Sequence, residues 1–326
     1  MSRPADTPPD DRAGTTVAER YRLVQRLGQG GAGTVYRAEE LGTGRAVAVK
    51  LFDQESVDPD ALKRIEREVF AARQIKDLSC IEIFASGHTP DGLGWIAMEL
   101  VSGRDLSRAL DEDGPFTPAR AANIADQLLR VLVEAHGAGI VHRDLKPANV
   151  MVVPVEGAPE RIEVLDFGIS VLSTDDTKEK TGVVFGTPAY MSPEQLRGEA
   201  VDGRADLYAV GVMLFEMLAG VPPFDGPTPI AVVTRQLEAP APPLEQHRPG
   251  VPRALAELVA STLERERDRR PASAAAMRAA LANALSDAGP ELLGAVAPPR
   301  QSVRRDTLVS AVPPTFAGKR RGTGRL

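Results

Sequence analysis

The chain has 326 residues, 43% of them hydrophobic and 26% charged, which is ordinary for a globular protein and gives room for roughly two compact units. A net charge of −6 argues against bulk nucleic-acid binding, a single cysteine (Cys80) excludes an internal disulfide or a Cys-based zinc cluster, and the four histidines (88, 136, 142, 247) fall at no metal-ligand spacing. The polar, Pro-rich start carries no secretory pattern, and the best apolar run, Leu207 to Gly220, is broken by Glu216 and shorter than the about 20 residues a membrane helix needs, so a reducing, cytoplasmic setting is expected.

In chain order, residues 1–20 lack periodicity and are expected to be disordered. From Tyr21 short β-like runs follow one another: YRLVQRL, GTVYRAEE and GRAVAVKLF, separated by the glycines at 28–33 and by LGTG at 41–44, a pattern that predicts an antiparallel meander. DPDALKRIEREVFAARQI then carries Leu62, Ile65, Val69 and Ala72 at helical spacing, and IEIFASG and GWIAMEL read as two more strands.

Beyond about residue 103 the character turns helical. Thr117 is placed to cap a helix opening with Pro118, with Ile124, Leu128, Val131 and Leu132 on one face. ADLYAVGVMLFEMLAG repeats the signal with Gly220 as its stop, and PRALAELVASTL and ASAAAMRAALANAL close the ordered part. A β-rich first third and a helical remainder predict an α+β fold of two lobes, residues 21–101 and 102–286, rather than a doubly wound sheet. Residues 287–326 are rich in Pro, Gly and Arg and are expected to form a flexible basic tail.

Four constellations carry chemistry. LGQGGAGTV (27–35) places Gly28, Gly30 and Gly33 where a backbone can approach a phosphate closely; the same pattern fits a tight hairpin, but a strand rather than a helix follows, which disfavours a dinucleotide-binding turn. Lys50 ends the strand AVAVK, and Glu68, on the helical stripe of Ile65 and Ala72, offers it a partner; alone, a strand-end lysine is usually solvated. VHRDLKPAN (141–149) packs His142, Arg143, Asp144, Lys146 and Asn149 between apolar residues. VLDFG (164–168) reads as an apolar strand ending in Asp166, which with Asn149 would suit a hard divalent cation, although DFG also suits a plain turn.

Taken together with GTPAYMSPEQ and D-x-Y-x-x-G (206–211), these segments resemble the Hanks-type (eukaryotic-like) serine/threonine protein kinases of bacteria, from about Tyr21 to Leu285. The resemblance implies a bilobal kinase fold and transfer of the ATP γ-phosphate to Ser or Thr hydroxyls, with Mg2+ (or Mn2+) as the metal. It implies that Asp144 is the base, that Lys146 neutralises γ-phosphate charge, that Lys50 held by Glu68 contacts the α- and β-phosphates, and that Asn149 and Asp166 ligate the metal. Adenine would lie between Val35 and Ala48 above and Met151 below, beside Met98, with Leu27 and the three loop glycines over it, the backbone of Glu99 and Val101 at its edge, and Asp105 at the ribose. Thr181 stands where related kinases carry an activating phosphate that Arg143 would bind; Thr187 would approach Asp144 and Lys146, and Glu194 and Arg270 match an ion pair fixing the activation segment.

Three departures stand out: Asp77-Leu78-Ser79 in place of His-Pro-Asn, Ala72 where a larger residue is usual, and Ser192 in place of alanine in Ala-Pro-Glu. An undersized Ala72 predicts a loosely held Glu68 helix and low unphosphorylated activity. A scaffold that binds ATP without catalysis is the alternative function, disfavoured because Lys50, Glu68, Asp144, Asn149 and Asp166 are all present; a small-molecule phosphotransferase is disfavoured by GTPAYMSPEQ. Expected partners are protein substrates, a second copy for trans-autophosphorylation, and a phosphothreonine-reading protein docking at Thr307 in the tail. A solvating tail and attraction to anionic surfaces are the competing readings of its seven Lys or Arg after residue 299.

Overall fold

The computed structural model describes residues 12–30, 33–52, 79–165 and 188–288. Six strands form the first lobe: β1 (Thr16–Val17), β2 (Tyr21–Gly30), β3 (Gly33–Glu40), β4 (Ala46–Leu51), β5 (Ile83–His88) and β6 (Gly94–Glu99). They pair antiparallel in the order β1-β2-β3-β4-β6-β5, so β4 and β6 are neighbours although β5 lies between them in sequence.

Strand periodicity decides which residues face which way. On one face, Tyr21, Leu23, Tyr36, Ala38, Val47, Val49, Leu51, Trp95 and Ala97 bury one another, with the Tyr21 and Trp95 rings 5.5 Å apart. The alternate residues of β4, Ala48 and Lys50, therefore share the opposite face. There Ala48 pairs with Met98, and Lys50 pairs with Val35 and Ile96.

The second lobe begins with β7 (Arg104–Asp105), α1 (Leu106–Asp113) and α2 (Pro118–Gly137), followed by β8 (Val150–Val153), β9 (Arg161–Val164), α3 (Pro193–Leu196), α4 (Arg204–Ala219), α5 (Pro229–Glu238), α6 (Leu244–His247), α7 (Arg253–Thr262) and α8 (Ala274–Ser286). Thr117 caps α2 as its sequence predicts, accepting a hydrogen bond from the Arg120 N–H at 3.2 Å. From Ala205 to Ala219 helix α4 is buried and, apart from Asp206 and Glu216, apolar, which makes it the axis of this lobe, with α2 and α7 against it. Gly220 ends it in the left-handed region at φ 75°, where its N–H reaches the Glu216 carbonyl at 2.7 Å. Among the described residues no helix is long and apolar enough to cross a membrane.

Two expectations are corrected. The first 20 residues are not uniformly without structure: Thr16 and Val17 pair with Arg22 and Tyr21, Val17 is buried, and Arg12 forms an ion pair with Asp91 at 2.8 Å. Two residues are too few for periodicity to show, so the strand was invisible in the sequence. The strand leading to Asp166 also stops earlier than expected, at Val164 rather than at the aspartate. The expected tail beyond residue 288 lies outside the described residues, as does the 58–75 helix.

Candidate active site

Ala48, Ile81 and Met98 form a small buried cluster apart from the two lobe cores, with Val35, Leu100, Val101 and Leu165 packed against it. The sequence-predicted adenine neighbours Val35, Ala48, Met98 and Val101 are therefore together. The Glu99 N–H is spent on the Glu82 carbonyl at 2.9 Å. Lys50 is only 7% exposed, and its Nζ lies 5.7 Å from the centroid of the Phe52 ring.

The glycine loop closes the β2–β3 hairpin: Gly28 pairs with Val35 and Gly30 with Gly33. Gly33 has φ 137°, and a Cβ there would stand 2.0 Å from the Leu51 carbonyl oxygen, so no side chain fits. Leu27, 50% exposed, sits at the start of this loop as an unburied apolar side chain.

The segment 141–149 is held by one buried carboxylate. Asp206 on α4 accepts from the Arg143 N–H through Oδ1 at 2.9 Å, and through Oδ2 from the His142 N–H at 2.9 Å and from His136 Nε2 at 2.8 Å. Arg143 thereby keeps a φ of 65°, a conformation costing a non-glycine residue about 1–3 kcal/mol. His142 is fully buried; its Nε2 is 3.0 Å from the Leu165 carbonyl, which can only accept, so Nε2 carries the proton and Nδ1 receives the Asp144 N–H at 3.3 Å. One imidazole thus joins the catalytic-loop candidate to the residue preceding Asp166.

Asp144, Lys146 and Asn149 converge. Lys146 Nζ lies 2.7 Å from Asp144 Oδ2, and Asn149 Nδ2 donates to the Asp144 carbonyl at 2.8 Å and to Oδ2 at 3.2 Å. Both Asn149 bonds use its nitrogen, leaving the carbonyl Oδ1 as a hard oxygen donor, and Asp144 Oδ1 has no partner among the described residues. Met151 and Asp105 are register partners in the small β7-β8-β9 sheet. Asp105 spends one carboxylate oxygen capping α1, accepting from the Arg108 N–H at 2.9 Å, which leaves the other for a ligand. Across from Met151 on β9, burial and the neighbouring Glu99 charge push the Glu163 carboxyl above its usual range despite Arg161 beside it.

The expected pair Glu194–Arg270 is present, bidentate at 2.7 and 2.8 Å and almost fully buried. Burial would raise the Glu194 carboxyl, but the Arg270 hydrogen bonds and charge outweigh it and hold the group below its ordinary value. Glu68, Asp166, Thr181 and Thr187 lie outside the described residues.

Three contributions escaped sequence reasoning. The D-x-Y-x-x-G pattern by itself assigns Asp206 no role, yet the fold makes it the anchor of the loop. Ser79, in the departure from His-Pro-Asn, is buried and receives Arg130 Nη2 at 3.2 Å while its carbonyl takes the Val164 N–H at 2.7 Å, so the substituted segment is still stitched to the second lobe. Glu216, read only as a break in an apolar run, is buried and receives the Tyr190 hydroxyl at 2.6 Å.

Residues 21–281 match the protein kinase domain family model. Over 279 residues the chain is 40% identical to the serine/threonine-protein kinase pkn3 of Myxococcus xanthus, covering 83% of this chain and 51% of that protein. It is 38% identical over 272 residues to the serine/threonine-protein kinase PknB of Mycolicibacterium smegmatis, covering 81% of this chain and 43% of the relative. The chain thus spans about half or less of the length of these curated relatives. Among solved structures, the PknI kinase domain of Mycobacterium tuberculosis superposes with a TM-score of 0.66 at 27% identity, over 84% of this chain and 98% of that one. With both lobes, the buried lysine and the anchored 141–149 loop in place, the chain belongs to the protein kinase family, among the Hanks-type kinases of bacteria.

Proposed function

We propose that this chain is an ATP-dependent protein serine/threonine kinase. The observation that carries the reading is the convergence of Asp144, Lys146 and Asn149 on a loop clamped by a buried carboxylate. Phosphoryl transfer asks a protein mainly for positioning and charge neutralisation, and each of these groups supplies one or the other.

The Asp144 carboxylate orients a Ser or Thr hydroxyl and takes its proton as the oxygen bonds to the γ-phosphorus and the bond to the β-phosphate oxygen breaks, leaving ADP. Lys146, already against Asp144, offsets charge on the transferring group. Lys50, with Glu68 as its partner, grips the α- and β-phosphates, while Ala48, Val35 and Met98 pack the base and the Glu99 carbonyl meets its edge. Asn149 Oδ1 and Asp166 are the oxygen donors that would hold Mg2+, or Mn2+, whose contribution when bound is to neutralise the phosphate oxygens. Arg143 is the cation that a phosphate on Thr181 would engage. Substrates would be proteins, with a second copy as one acceptor and Thr307 as a site that a phosphothreonine-reading partner could dock on. ATP as donor and a chain with only one cysteine, too few for an internal disulfide, suit the cytoplasm.

The test is transfer of γ-labelled phosphate from ATP to casein, with acid hydrolysis to identify the acceptor amino acid. Label on serine or threonine that disappears in Lys50→Met supports the reading. Nucleotide binding without transfer, with every metal tried, would replace it by the scaffold alternative.

A further inference from the structure

We infer that Gln195 is a positioning residue for the proposed base, coupling the segment after the activation loop to the catalytic loop through the Arg143 carbonyl; this rests on the kinase reading above. Arg143 precedes Asp144 and holds φ 65°, so its two peptide groups set the direction in which the aspartate leaves the chain. Asp206 fixes the peptide before it by accepting the Arg143 N–H. The peptide after it, whose nitrogen belongs to Asp144, is fixed through its oxygen: Gln195 Nε2 donates to the Arg143 carbonyl at 2.7 Å.

The amide of Gln195 has one orientation available. Its Oε1 accepts from the Ser192 N–H at 3.0 Å and from the Ser192 hydroxyl at 3.1 Å, so its nitrogen must point to Arg143. Ser192 is fully buried and stands where an alanine would supply only the first of those two bonds. The short helix capped by Ser192 carries Glu194 and Gln195 and is anchored by the buried Glu194–Arg270 pair, so the hydrogen bond is delivered from a fixed support. A Ser-Pro-Glu-Gln run thus gains a chemical reason: the serine sets the glutamine, and the glutamine sets the peptide that aims Asp144.

The experiment compares full-length wild type, Gln195→Leu, Gln195→Glu and Ser192→Ala for kcat and KM with ATP and casein, alongside thermal unfolding of each. Leucine keeps the volume without a donor, and glutamate keeps the shape but turns the donor into an acceptor facing a carbonyl. The expected result is a fall in kcat of about tenfold or more for both Gln195 variants, with KM for ATP changed less than about twofold. Ser192→Ala should lie between them and wild type, and the Gln195 variants, which orphan a buried Ser192 N–H or the Arg143 carbonyl, should unfold no more than about 12 °C below wild type and stay folded at the assay temperature. Wild-type kcat in folded Gln195→Leu overturns the inference, and so does a loss of kcat matched by an equal loss of folded protein. An inactive wild type would instead sink the kinase reading on which the inference stands.

Discussion

Removing Glu194 should unfold this protein at a markedly lower temperature, and the size of the effect follows from what Arg270 would be left with. The Arg270 side chain is fully buried and the Glu194 carboxylate is 4% exposed, so the pair is shielded from water and salt. Breaking a buried ion pair from one side costs about 3–5 kcal/mol, because the surviving charge stays desolvated. Arg270 would keep the carbonyls of Glu264, Arg265 and Arg204, at 2.8, 3.1 and 3.2 Å, and the Tyr208 ring 5.0 Å beneath it. Those contacts put Glu194→Ala at the lower end, about 3 kcal/mol. At about 2–4 °C per kcal/mol for a domain of this size, Tm should fall by about 6–12 °C. Thermal unfolding followed by circular dichroism, with urea titration as a second measure, reads this directly. Glu194→Leu combined with Arg270→Leu should recover part of the loss, since no charge is then stranded. A Tm within about 2 °C of wild type for Glu194→Ala would refute the argument that this charge needs its partner.

Further outcomes follow from other contacts. Gly33→Ala forces a methyl into the Leu51 carbonyl, so it should strain the β2–β3 loop by about 1–3 kcal/mol and weaken ATP binding, which a nucleotide titration will show. Asp206→Asn supplies one acceptor oxygen to three donors, orphaning a buried N–H at a cost of about 1–3 kcal/mol and lowering kcat more than KM. Asp202, hydrogen-bonded to Arg204, is held down at about 2 from its ordinary 3.8. Its stabilisation is therefore present above pH 3.8 and lost as pH falls toward about 2; Asp202→Asn should lower the neutral Tm slightly, the carboxylate being partly exposed, and the difference from wild type should vanish as pH falls through that window. Ala72→Leu should raise the activity of the unphosphorylated protein in a coupled ADP-release assay.

Local pattern carried most of the fold into view. Alternation in GTVYRAEE and AVAVK is the same alternation that buries Tyr36, Val47 and Val49 on one face and turns Ala48 and Lys50 to the other. Thr117-Pro118 and Gly220 mark helix ends because cap chemistry is local. What the sequence withheld is long-range: Asp206 meets His142 across 64 positions and Gln195 meets Arg143 across 52, and no spacing rule links residues that far apart. Asp105 shows the same limit from the other side, since a residue read as a ribose contact also caps α1 with one of its oxygens.

The central claim is that Asp144 acts on a protein hydroxyl. The direct measurement incubates wild type and Asp144→Asn with Mg2+ and ATP and maps phosphosites by mass spectrometry. Phosphate on Thr181, and on serine or threonine of added casein, in the wild type alone is the predicted result. Equal phosphorylation in Asp144→Asn, or none in either protein despite ATP binding, would contradict the account.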